Sequence, residues 1–146
     1  MRVSVVTRAA LLVFAILFMD TIVRSQDVLI IVNSSVPISR ITETQLRDIF
    51  TGVRSQFDNG TRAVPVLLKG GPVHEVFLHR HIGDTPDEFR IRWRRAIFTG
   101  QGSMPKEFNT EAALIQYIQV TPGAIGYVSR LPQNLSVKAL TVKDVR

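Results

Sequence analysis

The sequence predicts an α/β fold: a three-layer α/β/α domain built on a mixed sheet. Short apolar runs of strand length alternate along the chain with segments that carry apolar residues at helical spacing. Such alternation is typical of sheets whose two faces are both covered by helices. Beyond the N-terminal region the chain has the length of one ordinary domain. We therefore expect a single domain over residues 26–146.

The first 25 residues have the features of a secretory signal peptide. Arg2 and Arg8 precede an apolar stretch at residues 9–18, and Ser25 is a small residue of the kind that precedes a cleavage point. The stretch is shorter than the ~20 residues that cross a bilayer. An uncleaved N-terminal anchor is the alternative interpretation. We expect residues 1–25 to be removed and the domain to be periplasmic or secreted.

The composition excludes several kinds of site. The chain has no cysteine, which rules out disulfides, lipid attachment at cysteine and thiolate metal sites. The balance of 18 basic and 12 acidic residues favours anionic partners. The basic residues are scattered, so nucleic acid is not expected as a partner. The three histidines lack carboxylates at metal spacing, and no Ser–His–acid grouping is evident, so we expect neither a metal, nor a cofactor, nor an enzyme.

The first half of the domain is predicted to begin with a strand and a helix. The β-branched run at residues 28–32 is typical of a buried strand. Thr42, with Gln45 three residues later, forms a capping box that starts a helix, and Gly52 ends that helix or lies in its last turn. A turn then leads to a second strand at 64–68. The inner face of the helix is predicted to carry Leu46, Ile49, Phe50 and Val53.

The second half repeats this alternation. Thr85 followed by Pro86 is a strong helix start, because a hydroxyl cap precedes proline in the first turn. The inner face of that helix is predicted to carry Phe89, Trp93 and Ile97. The remaining predicted elements are a helix from Pro72 to Ile82, a helix capped by Asn109 or Thr110 that runs through Ile118, and strands at 124–128 and 137–142.

Two segments follow predicted strands and could bind a ligand. Residues 69–72, Lys-Gly-Gly-Pro, connect a strand to a helix start, where unpaired backbone N–H groups converge and suit an anion. A plain strand-to-helix connection is the alternative. Ser34 and Ser35 follow the first strand, at the end where ligands of open sheets gather, or form a simple polar turn. The candidate ligand-binding residues are Ser34, Ser35, Lys69, Gly70, Gly71 and His74.

Four motifs in register resemble one known family. Residues 42–52 resemble its T-x-x-Q-L-x-x-I-F-x-G segment, and the strand at 64–66 precedes a glycine turn as it does there. Trp93 with residues 97–100, and then residues 121–128, follow in the same order. The chain is thus similar to the phosphate-binding proteins of ABC transporters, within the type 2 periplasmic binding protein superfamily. The resemblance implies one lobe of a two-lobed receptor.

The loop after the second strand departs from the family pattern. Gly71, Pro72 and Val73 stand where the family has Ser-Gly-Thr, so two hydroxyl donors are missing and Pro72 has no N–H. Lys69 and His74 occupy the positions of the two arginines in the family's loop.

The resemblance implies an exported solute-binding protein that captures a small, phosphate-like oxyanion reversibly and works with a membrane transporter or sensor. The alternative is an interaction or sensory domain that has lost its ligand. A single open lobe also suggests a homodimer.

Overall fold

The computed structural model describes residues 27–133 and 136–144. The predicted signal peptide lies outside these residues. Within them, no helix has both the length and the apolar character needed to span a bilayer. The elements in chain order are β1 (Leu29–Asn33), β2 (Arg40–Thr42), α1 (Glu43–Phe50), β3 (Val64–Leu68), α2 (Pro72–Phe77) continuing into one π-helical turn (Leu78–Ile82), α3 (Pro86–Phe98), β4 (Lys106–Phe108), α4 (Glu111–Val120), β5 (Ala124–Val128) and β6 (Val137–Lys143).

Six strands form one mixed sheet in the order β2-β6-β1-β5-β3-β4. β3 runs parallel to both β4 and β5, and β2 runs parallel to β6. β1 runs antiparallel to its neighbours β5 and β6. Of the six strands, β1 therefore points one way and the other five point the opposite way. The carboxyl end of β1 thus lies at the same edge of the sheet as the amino ends of β3 and β5.

Helices cover both faces of the sheet. Gly126 and Tyr127 are neighbours on β5, so they face opposite sides. The Tyr127 ring stacks on Phe77 of α2 at a centroid distance of 3.8 Å and also contacts Phe50 of α1 at 6.2 Å. On the other face, a Cβ added at Gly126 would lie 2.8 Å from the Ile118 side chain of α4. The predicted three-layer α/β/α architecture is confirmed.

Capping boxes start two helices, at the two positions where the sequence predicts a helix start. The Thr42 hydroxyl accepts from the Gln45 N–H, and the Gln45 side chain accepts from the Thr42 N–H, at 3.1 and 2.9 Å. Thr85 and Glu88 form the same reciprocal pair at the start of α3. Thr110 caps α4 by accepting from the Ala113 N–H. Each cap satisfies N–H groups that would otherwise lack partners in the first turn.

The third helix is fixed to the first through Trp93. The indole N–H donates to the Phe50 carbonyl at 3.1 Å, and the side chain is 3% exposed. Gly52 lies against the ring, because a Cβ there would be 2.8 Å from the indole. This contact places α1 and α3 on the same face of the sheet.

Two predicted inner-face residues are not buried. Val53 is 76% exposed, because α1 has ended and Gly52 turns the chain into the left-handed region at φ 79°. Ile97 is 48% exposed, because the last turn of α3 lies outside the core. The three-residue strands β2 and β4 at the sheet edges were not predicted from the sequence.

Candidate functional site

The loop between β3 and α2 is open to solvent at the carboxyl end of its strand. The Lys69 N–H donates to the Phe108 carbonyl at 2.9 Å, which extends the pairing of β3 with β4 by one residue. Lys69, Gly70 and Gly71 are exposed. Gly71 has φ 92°, a conformation that side-chain-bearing residues rarely adopt. The two glycines therefore let the backbone turn sharply from the strand into the helix.

Several backbone N–H groups of this loop are unpaired. The N–H groups of Gly70, Gly71, Val73 and His74 have no acceptor in the described part of the chain. Pro72 contributes no N–H. Free amides at the start of a helix carry partial positive charge and attract anions. We name Lys69 with these four amides the glycine-turn site.

Tyr127 holds the glycine-turn site from beneath. Its hydroxyl oxygen accepts from the Leu68 N–H at 3.0 Å and lies 2.5 Å from His74 Nδ1. Because the hydroxyl accepts from Leu68, its own proton is free to be donated to His74. The last residue of β3 and the first turn of α2 are thereby joined through one buried side chain. The glycine turn spans the gap between these two fixed points.

His74 is buried, not presented to solvent. It is 7% exposed, and its Nδ1 is taken by Tyr127. Burial, aided by the positive charge of Arg90, lowers the pKa of His74. A neutral ring accepts a hydrogen bond at Nδ1 as this geometry requires. The sequence had placed His74 among the ligand-contacting residues. In the structure its side chain supports the loop, while its N–H has no acceptor among the described residues.

The glycine-turn site has charges of both signs nearby. Lys69 is the cation of the loop, whereas Glu75 is an exposed carboxylate in the first turn of α2. A carboxylate in the same helical turn as the free amides competes with an incoming anion. The site therefore favours an anion mainly through its amides and Lys69, with Glu75 opposing.

Ser34 and Ser35 lie at the opposite edge of the sheet from Lys69. Val32 and Pro65 both pair with Ile125, and β1 runs against β3. At ~3.3 Å per residue, Ser34 and Lys69 are separated by roughly 20 Å along the strands. The structure thus does not bring the two predicted segments together, and the candidate site does not include the serines.

The polar residue that precedes the serines has a structural role. Asn33 Nδ2 donates to the Ile118 and Gln119 carbonyls at 2.7 and 3.0 Å, near the end of α4. Its Oδ1 accepts from the Ser35 N–H at 2.9 Å. The segment after β1 is therefore the polar turn that the sequence allowed as its alternative.

The histidines at 74 and 81 do not share a site. His81 Nδ1 pairs with Glu43 at 3.0 Å, on the α1 side of the π-helical turn. Among the residues that the structure describes, no three His, Asp or Glu side chains converge as a metal would require.

Tyr127 is the residue of the candidate site that the sequence analysis missed. A tyrosine in a fully apolar strand must find a partner for its hydroxyl when buried. That requirement was the available signal, although it does not reveal which partner is chosen.

The geometry can be compared with solved structures. An ABC-type phosphate transport receptor from Vibrio cholerae matches with a TM-score of 0.58 and 17% identity, over 79% of this chain and 45% of that chain. A putative phosphate ABC transporter substrate-binding protein with bound phosphate from Clostridium perfringens matches with a TM-score of 0.58 and 20% identity, over 79% and 44%. The chain has the fold of about half of such a receptor.

A third solved structure matches the chain over a similar share of its length. PstS from Borrelia burgdorferi matches with a TM-score of 0.54 and 15% identity, over 79% of this chain and 46% of that chain. The sequence matches no family model and no curated protein. The chain thus spans less than half the length of each receptor, as a single lobe would. At these identities the likeness establishes the fold.

Proposed function

We propose that this protein is an exported solute-binding protein that captures a small oxyanion reversibly at the glycine-turn site. The observation that carries the proposal is the set of free amides beside Lys69, at the carboxyl end of β3. The likeness to the fold of phosphate receptors supports the proposal further, because one of the matched structures holds phosphate. We further propose export through the N-terminal segment and a membrane transporter as the receiving partner.

Capture uses backbone donors and one ammonium group. The N–H groups of Gly70, Gly71 and Val73 donate to the anion oxygens, and the Lys69 ammonium supplies charge. His74 and Tyr127 hold the turn in place from below. No bond is made or broken. Hydrogen bonds to a charged group contribute about 1.5–3 kcal/mol each. With the family's two hydroxyls absent, we expect micromolar to millimolar affinity.

Calorimetry of the full chain with phosphate and sulfate at low salt tests this function. We expect saturable binding that Lys69→Ala abolishes and that Glu75→Gln strengthens, because one removes the cation and the other removes the opposing carboxylate. Arg47→Gln is the matched control, since it removes one exposed positive charge on α1, outside the loop. A folded protein that binds neither anion, or binds equally in Lys69→Ala, contradicts the proposal.

A second candidate function is supported by the outer face of α3. Ile91 and Phe98 are 51% and 88% exposed and lie on one stripe of the helix, seven residues apart. Arg94 and Arg95 flank this stripe and make no ion pair in the described ranges. An apolar stripe beside unpaired cations suits an interaction domain with an acidic envelope partner.

The two functions predict different results. If calorimetry shows no anion binding while Phe98→Ser abolishes a partner contact, the interaction function replaces capture. A homodimer stays a prediction for either function, and sedimentation at high concentration tests it. A strict monomer would contradict it.

A further inference from the structure

A cleft lies at the edge of the sheet opposite the glycine-turn site. It has a volume of about 330 Å³ and opens between the start of β3 and the loop that leads into β4. Val64 and Pro65 form its wall on the β3 side, and Gly102 and Ser103 form part of the loop side. A volume of this size falls within the range of small-molecule sites. We call it the Trp93 cleft.

The lining of the Trp93 cleft is partly apolar and rigid. Trp93 and Ile49 line it together with Gly52 and Gly102. The indole cannot rotate freely, because its N–H is bound to the Phe50 carbonyl and Gly52 packs against its ring. Because Trp93 and Ile49 are buried, they form the floor of the cleft, and the half-buried residues Val64, Pro65 and Met104 carry its accessible apolar surface.

The charged residues of the Trp93 cleft are all positive. Arg54, Arg62 and Lys106 line it, and no Asp or Glu does. Two of the three are engaged elsewhere: Arg54 Nη1 contacts Asp58 at 2.5 Å, and Lys106 Nζ lies 4.8 Å from the Tyr117 ring centroid. The Arg62 side chain makes no hydrogen bond or ion pair within residues 27–133 and 136–144. Arg62 is therefore the cation available to a ligand.

We propose that the Trp93 cleft binds an organic anion with an apolar body, which lies against Val64 and Pro65 while its carboxylate or sulfonate binds Arg62. A planar guanidinium can hold two oxygens of such a group at once. A small hydrated anion would leave the apolar walls uncovered, so the cleft selects for a ligand with an apolar body. This site is separate from the glycine-turn site, and the proposal does not depend on anion capture there.

Energy transfer from Trp93 tests the proposal in the full chain. Trp93 is the one tryptophan of the sequence, so its emission reports on this cleft. The probe is dansylglycine, an aromatic carboxylate that accepts tryptophan emission, and its neutral counterpart is dansylglycinamide. We expect saturable sensitised dansyl emission with dansylglycine and at least about tenfold weaker binding of the amide, because the amide lacks the charge that Arg62 recognises.

Variants assign the contact to Arg62. Arg62→Gln should weaken dansylglycine binding about tenfold, and Arg62→Lys should restore part of it, with the thermal midpoint unchanged in both. Arg130→Gln, which removes an exposed charge after β5, should bind like the unaltered protein. The proposal is overturned if emission does not saturate, if the amide binds equally, or if Arg62→Gln has no greater effect than Arg130→Gln.

Discussion

Removing one hydroxyl should show whether Tyr127 joins β3 to α2. In Tyr127→Phe, the Leu68 N–H loses its acceptor at 3.0 Å, and His74 Nδ1 loses its partner at 2.5 Å. Each buried group left without a partner costs about 1–3 kcal/mol. The ring itself still stacks on Phe77, so packing changes little. We expect the free energy of unfolding to fall by roughly 2–6 kcal/mol, a large share of the ~5–15 kcal/mol typical of a domain.

Urea denaturation of the full chain measures this loss, and the other tyrosine is the matched control. Tyr117 is half-buried on α4, and its hydroxyl makes no hydrogen bond to any residue of the described ranges. Tyr117→Phe should therefore stay within about 0.5 kcal/mol of the unaltered protein. Equal effects of the two substitutions would refute the account of Tyr127.

A double-mutant cycle isolates the contact between the two side chains. Tyr127→Phe and His74→Leu each break the same hydrogen bond, so the double variant should lose less than the sum of the single losses. We expect a coupling energy of about 1 kcal/mol or more, as for residues in direct contact. Strict additivity would contradict the hydrogen bond.

Three further predictions concern stability. Burial and Arg90 lower the pKa of His74, so the unfolded chain binds more protons, and stability should fall as the pH drops below the ordinary histidine value of 6.5. His74→Gln should flatten that fall in urea titrations at pH 7.5 and 5, and an unchanged slope would contradict the assignment. Phe50→Ala should lower the free energy of unfolding by about 3–5 kcal/mol and Phe98→Ala by less than about 0.5 kcal/mol, because the two side chains are 0% and 88% exposed. Equal losses of thermal stability would contradict the burial that this fold gives them. Gly123→Ala should cost about 3 kcal/mol or more, since φ is 79° and a Cβ would lie 2.1 Å from a backbone carbonyl oxygen; an unshifted calorimetric midpoint would argue against this turn.

Local chemistry was enough to predict most of the elements. Capping hydroxyls at Thr42, Thr85 and Thr110 act over three residues, so their partners can be identified in the sequence itself. The strands at 64–68 and 124–128 are apolar runs of strand length, and the structure places β3 and β5 at these positions. These predictions succeed because each signal and its partner lie within one turn or one strand.

The direction of β1 could not be predicted from local pattern. It is set by pairing with β5 and β6, which follow β1 by about 100 residues along the chain. That direction moves Ser34 to the edge opposite Lys69. The short edge strands β2 and β4 likewise depend on partners distant in sequence, since three residues show no periodicity of their own.

The same four-residue sequence ends two helices, but its phenylalanine is buried in one copy and exposed in the other. Ile-Phe-Thr-Gly occurs at 49–52 and at 97–100, and in both copies the threonine hydroxyl donates to the carbonyl four residues earlier. Phe50 is nevertheless buried and Phe98 exposed. Local sequence therefore determines the cap, whereas tertiary contacts determine burial, which is why Ile97 was wrongly predicted to face inward.

Titration of the ¹⁵N-labelled protein with phosphate tests the central claim most directly. Capture at the glycine-turn site predicts saturable shifts of the backbone amides of Gly70, Gly71 and Val73, which Lys69→Ala removes. Shifts that are absent there, or that persist unchanged in Lys69→Ala, would contradict the account.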